Sequence, residues 1–453
     1  MTVGADLYII VAINLLLAAI FFKRQDPTTI WLHVMTIPVA WFILNYPVRA
    51  IFLIIADPSA SGIDRLNELI PAIVFASIFF WIQCILAGFK QPPFPLLSKM
   101  TNLDATTECR LCHLLTITTL ISISYQWHTG KVYSLYTSEA DLYHSLSYNI
   151  MTLCEPLKWF VLPYAFLLWK NTGHRICLVE SIVIGVVIII GAFLATAKAP
   201  FLSLTLCYLF LRNTLRTKPH KTVMTGGIFL FICFAIYSYI VRYYGIARGT
   251  FKIENIFENF EIFNSVLDNP NEFMSTGIMG LVNRFSYLDG LINVMEKKIF
   301  LEKGHYVVGG IAEILNFIPR FIWSDRPLIN FNIYLTNNVW GHDVLSETPI
   351  GRIAEAYFIM GWAGLLLALF YGFLFRFMMY KFLTHKTPFR MACFFFLLQF
   401  YVWPDAHSFF YVKEIVISFV IIYFLRMSVY ALRQATLQSH QNVIHSPLEN
   451  NLL

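Results

Sequence analysis

The chain is predicted to be an all-α polytopic membrane protein of about 11 transmembrane helices with one large polar loop. Two observations predict it. Of 453 residues, 57% are hydrophobic and only 13% charged, against about a quarter charged in ordinary soluble domains. Apolar runs of bilayer-spanning length also alternate with short basic loops, interrupted by a stretch at 242–350 too polar to cross a bilayer. The 42 Phe and 23 Tyr suit lipid contact and interfacial belts.

The first apolar run, about 5–22, has no basic segment ahead of it and ends in Lys23 and Arg24, so it reads as a span rather than a cleaved signal. Further spans are expected at about 29–48, 68–89, 107–124, 151–169, 176–196, 200–215 and 223–241. After the long loop come about 353–379, 391–402 and 414–430. The runs 200–215 and 391–402 are short or interrupted and read as tilted, broken or partly inserted.

Lysine and arginine set the orientation. They crowd into one set of short loops, such as Lys23 and Arg24, 212–221 and 381–390, with Arg426 and Arg433 at the last of them. The other set holds isolated cations such as Arg49, Arg65 and Lys131. The crowded set is assigned to the cytoplasm. The N-terminus and the long loop then face outward. The chain divides into an N-terminal bundle (1–241), the outer loop (242–350), a C-terminal bundle (351–430) and a cytoplasmic tail (431–453) that reads as disordered. The net charge of +6 is spread over short loops and not gathered into a stripe, so nucleic acid is not an expected partner.

Within the long loop, 251–272 carries acids between Phe and Ile and reads as an amphipathic surface helix. The more apolar 274–296 and 306–323 read as helices lying in the membrane interface. No P-loop, dinucleotide fingerprint, internal repeat or metal-ligand spacing is visible, so no cofactor and no metal are expected. All eight cysteines fall in apolar runs or in loops assigned to the cytoplasm, and no disulfide framework is expected. Cys109, Cys112 and His113 match the haem-attachment pattern C-x-x-C-H. The motif lies where a basic loop enters a span on the cytoplasmic side, the wrong side for covalent haem, so it is read as ordinary span sequence.

Charge in apolar surroundings marks the candidate site. Lys198 sits at the tip of the hairpin GAFLATAKAP (191–200), Arg242 closes the span before the loop, and Arg284 follows Val282 and Asn283. Arg320 and Arg326 flank Phe321, Ile322 and Trp323, and Arg352 with Glu355 opens the next span. Guanidinium groups among aromatics need an anionic partner, and phosphate fits their fork. The bland alternative is that each arginine snorkels to lipid headgroups or pairs with a nearby acid. Arg352 and Glu355 stand three apart on a helix and can face the same way. Glu355, near cations and an apolar wall, is the candidate general base. His342, Asp405 and His407 are secondary candidates.

The segment FIPRFIWSDRP (317–327) resembles the "F-I-P … W-x-x-R-P" stretch in the long periplasmic loop of bacterial oligosaccharide repeat-unit polymerases of the Wzy type. That family includes the O-antigen and enterobacterial common antigen polymerases. AEAYFIMGWAG (354–364) resembles the "E-A-Y-x-x-x-G-x-x-G" signature that follows it. The Lys198 hairpin is similar to the family's "G-x-R" hairpin, with Lys in place of Arg, and Arg284 sits where the family carries an early loop arginine. Trp403, Pro404 and Asp405 stand where relatives often have an Arg before an acid.

The resemblance implies a GT-C-like membrane glycosyltransferase in the bacterial inner membrane, with the N-terminus periplasmic and the C-terminus cytoplasmic. It implies transfer of a growing undecaprenyl-diphosphate-linked glycan onto a new lipid-linked repeat unit, without nucleotide sugar or metal. Glu355, Arg284 and Arg326 would be catalytic. Lys198, Arg242, Arg320 and Arg352 would bind the diphosphate. Membrane lipids, a chain-length regulator and a flippase of the same pathway are the implied partners. An O-antigen-ligase-like transferase and a transporter or flippase of lipid-linked oligosaccharide are the alternatives.

Overall fold

The structure is a computed structural model. It describes residues 3–24, 36–56, 63–88, 102–128, 154–194, 199–215, 287–297, 351–383, 387–402 and 408–445, with residue 151 and shorter pieces within 217–269. Among the described residues it is helical, with no strand. Five helical stretches are long and apolar enough to cross a membrane: Ala5–Lys23, Glu68–Ala87, Arg175–Phe193, Arg352–Phe382 and Ile415–Thr436. Shorter apolar helices lie at Pro38–Ile54, Pro200–Arg212, Thr225–Phe234 and Pro388–Gln399. The protein is an all-α membrane protein.

The distribution of side chains is that of a chain solvated by lipid. Helix α1 (Val3–Lys23) exposes Ile9, Ile13, Leu16 and Ile20, a stripe at helical spacing. Helix α5 (Asn102–His128) does the reverse with its polar residues: Glu108, Thr116, Thr119, Ser122 and Gln126 are buried, while Leu114, Ile117 and Ile121 face outward. In lipid the polar face must turn inward, because nothing outside can satisfy it.

Chain order then places the site. Helix α2 (Thr36–Ile43) continues through a π-helical turn (Leu44–Val48) into α3 (Arg49–Ala56). Pro47 lies inside that turn and has no N–H to give, which is one reason the regular ladder widens there. Helix α4 (Ile63–Ala87) is the most enclosed of the long apolar helices, with 56% of its spanning window buried. It packs against α1 and the π-turn, and later against the loop helix and the helices that follow the loop. Asn14 ties α1 to α4. It donates to Ser77 Oγ (2.8 Å) and accepts from Trp81 Nε1 (2.8 Å), buried at 1% exposure. Asn14→Leu should leave both partners short of a bond and lower stability by about 1–3 kcal/mol. Thermal unfolding in detergent reads this directly, and an unchanged midpoint would show the network to be idle.

A second group of helices comprises α5, α6 (Lys158–Thr172), α7 (Arg175–Leu194) and α8 (Ala199–Thr214). The loop contributes α9 (Tyr287–Glu296). After it come α10 (Arg352–Met360), a 3-10 turn (Gly361–Gly364) and α11 (Leu365–Leu383), then α12 (Pro388–Val402) and α13 (Ser408–His445). Helix α11 packs along α4 and touches α12, which joins the second group.

Three expectations are corrected. The run 353–379 is not one straight helix but a half-helix, a turn and a full helix. Arg49 does not sit in a loop but inside the continuous α2–α3 helix, buried. The tail does not leave the last span disordered at 431. Helix α13 runs on to His445, because Ala, Leu, Arg and Gln favour helix and no proline intervenes before Pro447. Residues 446–453 lie outside the described residues.

Candidate functional site

Of the candidate site residues read from the sequence, two fall among the described residues, Arg352 and Glu355. Both lie in the first turn of α10. Gly351 precedes them with φ +82°, and a Cβ there would stand 2.9 Å from the ring of Tyr287. Glycine is needed twice over, for the backbone and for the contact that lets α9 lie against the start of α10. The Glu355 N–H donates to the Gly351 carbonyl (3.0 Å), and the Glu355 side chain is buried, with the residue 1% exposed. Arg352 is half-buried, its guanidinium 5.3 Å from the centroid of the Tyr371 ring on α11.

The two signature glycines close this half-helix. Gly361 has φ +58°, and a Cβ on Gly364 would lie 2.4 Å from the carbonyl oxygen of Ala356. The turn therefore folds its own backbone onto the α10 backbone one residue past Glu355. Tyr357 and Trp362 meet Phe75 of α4 edge-on, at 5.0 and 5.4 Å between ring centroids. The result is a buried carboxylate on a short, rigidly held helix with an aromatic wall beside it.

Sequence reasoning missed the strongest electrostatic contact near this site. Arg49 is 7% exposed and grips Asp289 of α9 in a forked pair, Nε to Oδ1 at 3.2 Å and Nη2 to Oδ2 at 2.6 Å. Its third nitrogen, Nη1, is buried with no hydrogen-bond partner among the described residues, and so is Oδ1 of Asn45 one turn earlier. The signal was present: an Asn and an Arg four apart around a proline, within a run otherwise apolar. The pair does mechanical work. It seats the loop helix α9 on the bundle, where α9 touches the π-turn, α4 and α10 at once. Helix α9 falls within the predicted interfacial stretch 274–296, but it is packed inward, with Leu288, Leu291, Val294 and Met295 buried.

No family model, curated protein or solved structure matches the chain. The site stands on its own geometry.

Lys198, Arg242, Arg284, Arg320, Arg326, His342, Asp405 and His407 lie outside the described residues. What is brought together is Glu355 and Arg352 on α10, Asp289 on α9 and, across α9, Asn45 of the π-turn and Arg49 at the start of α3. Chemically this arrangement offers a buried carboxylate able to take a proton and a buried guanidinium able to meet a further acceptor.

Proposed function

We propose that the protein is a polysaccharide polymerase of the inner membrane. It transfers a growing undecaprenyl-diphosphate-linked glycan onto a new lipid-linked repeat unit at the periplasmic face. The observation that carries this reading is Glu355, buried on a half-helix that abuts the loop helix. A carboxylate held in membrane-depth surroundings is costly, and such residues are functional-site candidates by default. Glu355 takes the proton of the attacking sugar hydroxyl. Arg284 and Arg326 hold the departing diphosphate, with Lys198, Arg242, Arg320 and Arg352 around it. The diphosphate is a good leaving group once its charge is met by preorganised cations, and arginine meets it in a fork. Arg49 serves as a positioning residue through Asp289. The GT-C-like arrangement of about 11 spans belongs to the same proposal.

Reconstitution of the purified chain in vesicles with lipid-linked repeat units tests the reaction. The expected product is a ladder of lengthened glycans. A second reading is favoured by one observation, the break between α10 and α11, since discontinuous helices also build transporter sites. A transporter would move units across the vesicle membrane and leave their length unchanged, and that result would replace the polymerase reading.

Orientation is tested separately. Reporter fusions at Asn264 and Asn338 should score periplasmic, and fusions at Thr217 and His385 cytoplasmic. Both pairs on one side would remove the basis for a periplasmic site.

A further inference from the structure

In the N-terminal half of α5 and at the start of α7, three metal-binding side chains come together with a fourth beside them. Cys109 and Cys112 lie three apart on α5, one turn of the same face. Cys177 and Glu180 lie three apart on α7. The Sγ atoms of Cys112 and Cys177 and a carboxylate oxygen of Glu180 are all within 4.8 Å of one another. Cys112 Sγ stands 3.4 Å from Glu180 Oε2; Cys109 Sγ is not within 4.8 Å of all three but stands 3.6 Å from Cys177 Sγ. The other carboxylate oxygen, Oε1, accepts from His113 Nδ1 at 2.6 Å. The three thiols are buried, and Glu180 keeps a side-chain exposure of 13% as the rim of the cluster.

We propose that Cys112, Cys177 and Glu180 hold a thiophilic divalent cation of the zinc class, with Cys109, which stands against Cys177, turning in to complete a tetrahedron and His113 orienting the carboxylate.

The distances carry the assignment. With metal–sulfur bonds of about 2.3 Å and metal–oxygen bonds of about 2.0 Å, the edges of a tetrahedron are about 3.8 Å between sulfurs and about 3.5 Å from sulfur to oxygen. Two of the pairs, at 3.6 and 3.4 Å, are near those edges. Sulfur-rich sites select zinc-like or cuprous ions over magnesium and calcium. The His113–Glu180 hydrogen bond is the outer partner that metal-bound ligands usually have, and it draws off some of the negative charge. Filling the site releases the three thiol protons to solvent, so binding weakens as pH falls. Sequence spacing hid the cluster, because Glu180 is 68 residues from Cys112 and only the pairing of α5 with α7 unites them. The C-x-x-C-H motif thus has a use other than haem. The cluster lies on α5 and α7, whereas the helix of Glu355 packs against α9 and α4, so the cluster staples other helices and takes no part in the proposed transfer.

The test is metal content of the purified full-length chain, followed by titration with Co²⁺. One zinc per chain, and a thiolate-to-cobalt charge-transfer band on replacement, are the expected results. Cys112→Ser and Cys177→Ser should each lose that band. His113→Ala should keep it and weaken binding about tenfold or more. Cys84→Ser, a buried cysteine of α4 outside the cluster, should bind like the unaltered chain. A chain that folds, takes up no Zn²⁺ or Co²⁺, and shows free thiols would overturn the site. So would an intact mass lower by two hydrogens, which would mark a Cys109–Cys177 disulfide instead.

Discussion

Glu355→Gln is expected to stop chain lengthening while leaving the protein in the membrane at its normal level. The amide keeps the shape of the buried side chain and most of its hydrogen bonding. It cannot accept a proton, so loss of a general base should slow transfer by about a hundredfold to ten-thousandfold. The lipid-linked substrate should still bind, because the cations that hold the diphosphate are untouched. Arg284→Lys and Arg326→Lys should also be badly impaired, since an ammonium cannot reproduce the forked contact. A purely structural Glu355 gives another pattern: less protein in the membrane, and a full ladder from whatever remains. A full ladder at matched protein level would eliminate Glu355 as the base and move attention to His342 and Asp405.

The second large effect concerns Glu108 on α5. Glu108 is 3% exposed, and its Oε1 accepts from Arg426 Nη2 (2.8 Å) and from the Tyr430 hydroxyl (3.0 Å). The Tyr164 hydroxyl donates to Oε2. Arg426 lies 3.9 Å over the ring of Phe389. One carboxylate thus fastens α5, α6 and α13, with α12 stacked beneath the cation. Removing one member strands the other charge in a low-dielectric interior. Arg426→Leu should therefore cost about 3–5 kcal/mol, while Glu108→Leu with Arg426→Leu together should recover most of the loss. Thermal unfolding of both variants in detergent decides this. Equal destabilisation of the single and double variants would show that packing, not pairing, holds these helices.

Much of the architecture could be read from the chain itself. The apolar runs marked the helices, and the short runs 200–215 and 391–402 became the 16-residue α8 and 15-residue α12. What escaped were features set by contacts between distant segments. Arg426 was counted among loop cations because its partner, Glu108, lies 318 residues away. Arg49 was placed in a loop for the same reason, since Asp289 is 240 residues on. Glu108, Glu180 and Arg426 all sit inside the helices α5, α7 and α13. A charge in a span is invisible to hydropathy when a longer apolar run dilutes it. At the candidate site the signature glycines could be read as a motif, but their physical reason could not. It rests on a 2.4 Å approach to the Ala356 carbonyl and on a backbone that bends back at Gly361.

The most direct measurement is the surface polysaccharide ladder of a strain lacking this chain. A repeat-unit polymerase predicts single capped repeats on the cell surface and no longer rungs, with the full ladder restored by the unaltered protein and not by Glu355→Gln. Bare core with long lipid-linked chains left unattached would point to a ligase. Units trapped inside the cell would point to a flippase. Either of these, or an unchanged ladder, would contradict the polymerase reading.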